Sequence, residues 1–245
     1  MTMKENNTKE IQFLSDVKVE LVKSAADDSD VLFSARVSTK GESSLEDVKS
    51  DAARSKGLIN FLMRDRHGTP FEHNSMTFYV QAPIFVFREF MRHRIASYNE
   101  ESGRYKELEP LFYVPDEKRK LTQIGKAGHY TFHDGTKEQY ELTVREIKKA
   151  STQAYESYQT MLDAGIAREV ARSVLPVNIY SSMYVTMNAR SLMNFLSLRT
   201  LREDSHFPSF PQREIEMVAE KMESEFEKLM PITYETFNKH GRVAP

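Results

Sequence analysis

The chain has no cysteine and no tryptophan in its 245 residues. Without Cys there is no disulfide, no thiolate metal site and no cysteine nucleophile. Long hydrophobic runs are missing too. Nothing approaches the roughly 20 apolar residues that span a bilayer, and the polar stretch Met1 to Glu10 lacks the apolar core of a signal peptide. The sequence therefore predicts a cytoplasmic protein with no membrane partner. Nor is there an excess of positive charge: 34 Lys and Arg against 36 Asp and Glu leave a formal net charge of -2. A non-specific nucleic-acid binder wants a basic domain, so nucleic acid is disfavoured as a partner and any anion site must be local.

What is present fits a soluble globular protein, with 40% hydrophobic and 29% charged residues. Residues 1–10 read as a flexible leader and 11–245 as one folded domain. Hydrophobic alternation predicts strands over Val17 to Val22, Asn74 to Ala82 and Tyr180 to Asn188. Apolar stripes at spacings of three and four predict helices over Val48 to Arg64, Pro83 to Arg94, Glu138 to Leu162, Ala189 to Leu201 and Gln212 to Met230. A shorter helix, Arg168 to Leu175, is halted by Pro176. The charged, Gly-containing stretch Asp116 to Lys137 reads as a mobile excursion. Strands and helices do not alternate as βαβ units. The expected fold is α+β, a central, largely antiparallel sheet flanked by helices in a single domain per subunit.

Chemistry concentrates in four places. Arg92, His93 and Arg94 end the helix predicted over Pro83 to Arg94, and Ser97, Asn99, Ser102, Gly103 and Arg104 follow. Arg forks suit phosphate, and a Ser-Gly pair lets backbone N–H groups approach it. A single Arg there would merely complement the helix dipole. So many neighbouring cations repel unless an anion lies between them, which favours an anion site. Arg190 and Asn194 share a helix face, with Arg199 about a turn beyond; alone these would be a solvated face. The histidines of His67 to His73 are six apart, the wrong spacing for a helical metal pair, so no metal is expected. Arg168, Glu169 and Arg172 would ordinarily be a solvated helix face as well.

The pattern Arg92-His93-Arg94-x-x-Ser97-x-Asn99-x-x-Ser102-x-Arg104-Tyr105 resembles the signature of flavin-dependent thymidylate synthases. So do His67 to His73, Ala171-Arg172 through Leu175-Pro176, and Asn188 to Arg199, in that order. The resemblance implies a catalytic domain over 11–245 that methylates dUMP to dTMP in a homotetramer whose active sites lie between subunits. It implies FAD as cofactor, NADPH as its reductant and methylenetetrahydrofolate as carbon donor. It assigns FAD to Thr69, Arg92, His93, Arg94, Glu100, Asn188, Arg190 and Asn194. It assigns dUMP to Glu89, Arg92, Glu101, Ser102, Gly103, Arg104, Arg172 and Arg199, with Arg199 as the catalytic residue against the uracil edge. The missing Cys agrees, because unrelated thymidylate synthases attack C6 of dUMP with a thiolate. Two departures stand out: Glu89 replaces the family's usual Gln, and extra residues follow Arg199 and surround Pro208 to Pro211. Two other readings are open, a nucleotide-binding flavoprotein without methyl transfer and a nucleic-acid-binding module.

Overall fold

The computed structural model describes residues 10–45, 52–126 and 129–245. Nearly all of the predicted leader, and the first residues of the helix expected from Val48, lie outside them. The elements run β1 (Gln12–Leu14), β2 (Lys18–Ala25), α1 (Asp28–Lys40), α2 (Ala52–Arg64), β3 (Ser75–Pro83), α3 (Ile84–Phe90), β4 (Ser97–Glu100) and β5 (Leu111–Tyr113). There follow β6 (Thr122–Lys126), β7 (His129–His133), α4 (Lys137–Asp163), α5 (Arg168–Ala171), β8 (Tyr180–Met187), α6 (Ala189–Arg199), α7 (Arg213–Leu229) and α8 (Pro231–Lys239). Short 3-10 turns occupy Gly41–Leu45, Thr69–Glu72 and Arg172–Val174.

The fold is α+β, as the lack of βαβ alternation implied. A four-stranded sheet is ordered β2-β3-β8-β4; β1 pairs with β5 in parallel, and β6 with β7 antiparallel. Two compact units interleave along the chain. One comprises Met1–Asp16, Gln81–Arg88 and Glu100–Ser182, the other Val17–Val80, Glu89–Asn99 and Met183–Pro245. In the first, Phe112, Tyr155, Tyr158, Ala171 and Ile179 form an apolar core. In the second, α7 packs on β2, α6 and α8.

The periodicities place side chains as they predicted. On β3, Met76, Phe78, Val80 and Ala82 are buried, while Thr77, Tyr79 and Gln81 are half-buried. On β8, Met183, Val185 and Met187 are buried and Tyr184 is exposed. Leu192, Phe195 and Leu196 of α6, and Ile215, Val218, Met222 and Phe226 of α7, are wholly buried.

Three expectations need correcting. The helix predicted to reach Arg94 stops at Phe90, so Arg92, His93 and Arg94 lie in the turn after α3. Tyr98 explains the stop: its hydroxyl donates to the His93 carbonyl at 2.7 Å and the Phe90 carbonyl at 3.1 Å, satisfying acceptors that a continuing helix would use. Accordingly Val86, Phe87 and Phe90 form the buried stripe and Met91 is exposed. The polar stretch Ser97 to Tyr105, which the sequence predicts as a loop, begins instead as strand β4. Finally, the stretch read as a mobile excursion contains the β6–β7 hairpin, in register from Thr122 against His133.

Two helices had gone unrecognised. α1 begins at a capping box in which the Asp27 carboxylate accepts from Ser29 N at 2.6 Å and Asp30 reaches back to Asp27 N at 2.9 Å. α8 has Pro231 in its first turn and no side-chain cap of its own. Asp28 of α1 supplies one, accepting from Ile232 N at 2.8 Å and Thr233 N at 2.9 Å.

Candidate functional site

In the second unit the Asn188 side chain caps α6, accepting from Ser191 N at 2.9 Å, while Asn74 accepts from Ala189 N at 2.7 Å. The buried face of α6 is then locked: Phe195 stacks on Phe90 at 4.5 Å between ring centroids and meets His93 at 4.9 Å, edge to face. These contacts fix where Arg199, the last residue of α6, emerges.

Arg199 Nη1 donates to Glu89 Oε2 at 2.7 Å, Nη2 to the Glu89 carbonyl at 3.3 Å and Nε to His93 Nε2 at 3.1 Å. The Arg199 side chain is only 14% exposed and that of Glu89 28%. Burial raises the Glu89 carboxyl above its ordinary range, Arg199 opposes that rise and Glu214 adds to it. His93 is pushed down to about 4, first by burial and then by the Arg199 charge. At neutral pH the imidazole is therefore uncharged and can accept at Nε2. The Arg-His-Arg turn thus carries two positive charges rather than three. Arg92 and Arg94 are exposed, and their guanidinium groups make no hydrogen bond or ion pair with the described residues.

A second grouping in the same unit surrounds Arg190. Its guanidinium meets Glu72 at 2.5 Å and donates from Nε to the Pro245 carbonyl at 2.6 Å. Gly68 is needed for this packing, because a Cβ there would lie 2.5 Å from Arg190 Cζ. The neighbouring Thr69 is exposed, as is Asn194, whose amide donates to the Arg190 carbonyl at 3.1 Å.

The first unit holds the remaining predicted residues. Ser102 Oγ accepts from Arg104 N at 3.2 Å, making a tight turn through Gly103. A Cβ on Gly103 would sit 3.1 Å from Leu108 Cδ1 and 3.2 Å from Arg172 Cδ, so a larger residue would press these side chains back by a few tenths of an ångström. Arg104 pairs with Glu169 at 3.0 Å and Glu101 with Lys106 at 3.1 Å. Both are exposed pairs of the kind worth about 0–1 kcal/mol, weak enough for a phosphate to displace. Glu100 is half-buried and its carboxyl is raised, chiefly by burial, against the lowering pull of Ser181 and Arg172.

The structure therefore brings together Glu89, His93 and Arg199, with Arg92 and Arg94 beside them in sequence; separately Gly68 and Asn194 adjoin Arg190, with Thr69 next to Gly68 in sequence, and Gly103 adjoins Arg172. Sequence reasoning missed Asn74, Tyr98, Lys106 and Glu169 as partners of these residues. Glu72 stood within a segment already singled out, but its pairing with Arg190, far along the chain, left no local trace.

The donors suit a dinucleotide cofactor. Arg92 and Arg94 are unneutralised cations for a diphosphate, and Thr69 and Asn194 offer exposed hydrogen-bonding groups to its polar parts. No helix among the described residues is long and apolar enough to cross a membrane.

Residues 20–232 match the family model described as Thymidylate synthase complementing protein. A flavin-dependent thymidylate synthase of Streptomyces avermitilis is 69% identical over 95% of this chain and 95% of its own. The enzyme of that name from Tropheryma whipplei is 63% identical over 95% of this chain and 97% of its own. Among solved structures, the UMP/dUMP methylase PolB from Streptomyces cacaoi bound with 5-Br dUMP superposes with a TM-score of 0.91. It is 55% identical, with 96% of this chain and 100% of the other covered.

Proposed function

The chain belongs to the thymidylate synthase complementing protein family, and from that premise we propose that it is a flavin-dependent thymidylate synthase acting on dUMP in the cytoplasm. The overall reaction converts dUMP, methylenetetrahydrofolate, NADPH and a proton to dTMP, tetrahydrofolate and NADP. The C5 hydrogen of the uracil leaves as a proton, and the incoming methylene becomes methyl by gaining a hydride. FAD, when bound, relays that hydride from NADPH.

Thr69, Arg92, His93, Arg94, Glu100, Asn188, Arg190 and Asn194 hold the FAD. Arg92, Glu101, Ser102, Gly103, Arg104 and Arg172 hold dUMP, with Arg104 and Arg172 on its phosphate. The active sites lie between subunits of a homotetramer. Arg199 faces the uracil edge and favours loss of the N3 proton, which enriches C5 in electron density.

One observation carries this reading: the protein's own groups hold Arg199 in place. Three of its five N–H groups are committed to Glu89 and His93, leaving two for a ligand. A cation preorganised in a water-poor site is the arrangement that stabilises a developing anion. Glu89, whose Oε2 is the counter-ion of Arg199, also belongs to the dUMP site that the resemblance implies. The absence of Cys supports a route in which no enzyme thiolate adds to C6.

The test is turnover by the purified protein reconstituted with FAD and given dUMP, NADPH and methylenetetrahydrofolate. Flavin absorbance, dTMP and release of tritium from C5-labelled dUMP are expected together. UMP is run beside dUMP, because a 55% identical solved structure is described as a UMP/dUMP methylase. NADPH oxidation with tritium retained would identify a flavoprotein without methyl transfer. A colourless protein with salt-sensitive affinity for nucleic acid would identify a binding module instead.

A further inference from the structure

Arg242 is the most thoroughly buried cation in an ion pair among the described residues, its side chain 3% exposed against 5% for its partner Glu223. Nη1 lies 2.6 Å from Glu223 Oε1 and 2.5 Å from Asn238 Oδ1, and the guanidinium stacks 4.9 Å from the centre of the Phe237 ring. Glu223 also takes Arg202 at 2.7 Å and the Tyr234 hydroxyl at 3.2 Å. The second arm, Nη2, donates to Thr200 Oγ1 at 2.9 Å.

Stability alone does not account for this cluster, since well-packed apolar residues commonly replace buried ion pairs without loss. The arrangement is also held under strain. Arg242 has φ of 60°, the left-handed region, and its Nε has no hydrogen-bond partner among the described residues. Such strain persists where the surroundings over-determine a conformation, and here they converge on Thr200.

Thr200 is wholly buried and directly follows Arg199. Its N–H donates to the Leu196 carbonyl at 3.1 Å, and its hydroxyl donates to the same carbonyl at 2.7 Å while accepting from Arg242. Its carbonyl accepts from Ser209 Oγ at 2.6 Å. The segment carrying Ser209 is tied in turn to the one carrying Arg242 by His206 N donating to the Gly241 carbonyl at 2.9 Å. The side chain of Arg199 is thus fixed by Glu89 and His93, and Thr200 just beyond it is held at its hydroxyl by Arg242 and at its carbonyl by Ser209.

We propose that Arg242 is a positioning residue that acts through Thr200 to set where the Arg199 guanidinium stands against the uracil. This rests on the reading of Arg199 given above. A small displacement of a catalytic cation is enough to lower turnover, so loss of the grip on Thr200 reaches the chemistry without touching the substrate.

The test uses reconstituted holoenzyme and four variants, Thr200→Val, Thr200→Ser, Arg199→Lys and the double variant Thr200→Val with Arg199→Lys. Thr200→Val removes the hydroxyl that Arg242 holds while leaving Arg242 and Glu223 paired, so the fold is retained. Turnover is expected to fall about tenfold in Thr200→Val, and Thr200→Ser is expected to keep it. In the Arg199→Lys background the same Val substitution adds no further loss, because residues acting through one another are non-additive. Calorimetric titration with dUMP shows the same non-additivity without turnover. An equal loss in both backgrounds, or parental turnover and dUMP affinity in Thr200→Val with only a lower melting temperature, overturns the proposal. If Arg199→Lys turns over at the parental rate, the Arg199 reading falls and the proposal with it, so the two failures are told apart.

Discussion

Arg199 and Glu89, 110 residues apart in the chain, meet at 2.7 Å and share a site in which neither side chain is more than 28% exposed. The carboxylate stands where the resemblance leads one to expect Gln, and its partner is the cation assigned to the uracil, so this residue decides how Arg199 is held.

Glu89→Gln retains an acceptor for Arg199 Nη1 and is expected to keep turnover within about threefold of the parent. Glu89→Leu leaves a half-buried guanidinium without its counter-ion, a defect of roughly 1–3 kcal/mol that corresponds to a loss of about 5- to 150-fold. Steady-state tritium release on both variants checks this. Equal activity in the two would show that Arg199 does not depend on the carboxylate.

The neutral state of His93 makes stability depend on pH. Its folded value is about 4 against an ordinary 6.5, so between those values the unfolded chain binds the proton and the folded chain does not. The stability His93 contributes is whole above about 6.5 and is lost as pH falls toward 4. Glu89, whose carboxyl is raised, acts in the opposite sense, so the comparison must be with a variant. His93→Gln preserves an acceptor for Arg199 and should flatten the fall in urea midpoint between pH 7.5 and 5. An unchanged slope would mean that His93 titrates normally.

Asp28 caps α8 across 204 residues of chain. It also takes the Thr233 hydroxyl at 2.6 Å. Asp28→Ala should destabilise the protein by about 1–2 kcal/mol, the range of lost helix caps. Urea unfolding measures it. A loss below a few tenths of a kcal/mol would mean that water replaces the carboxylate.

Helix α4 ends on Gly165 (φ 80°) and α2 on Arg66 (φ 61°), both in the left-handed region but with different side chains. A Cβ on Gly165 meets nothing within 4 Å. Gly165→Ala therefore isolates backbone strain, expected near 1 kcal/mol. Arg66→Gly relieves comparable strain but gives up a 3.1 Å hydrogen bond to the Ala244 carbonyl. Its expected net effect is smaller than that of Gly165→Ala. Chemical denaturation of the two variants side by side compares the signs and sizes.

The sequence made the interior legible wherever one face repeats at a fixed period. Met76, Phe78 and Val80 are sorted inward by alternation, and Leu192, Phe195 and Leu196 by helical spacing. The end of α3 was not legible, because a strand residue, Tyr98, decides it by taking the Phe90 and His93 carbonyls. Nor was α8, whose cap comes from a distant helix. Of the candidate site, the cations were visible as a cluster, but not their partners. Glu169 on Arg104, Glu72 on Arg190 and Glu89 on Arg199 are pairings made by the fold, and only they decide which guanidinium is free for an anion and which is held in place.

The most direct measurement of the central claim compares turnover with flavin content in Arg199→Ala. Arg199 is held by Glu89 and His93, and its assigned work is on the uracil. Tritium release from C5-labelled dUMP should therefore fall by about a hundredfold or more, while bound FAD per subunit stays at the parental level. Equal losses of flavin and of tritium release would place Arg199 in the cofactor site and contradict the account.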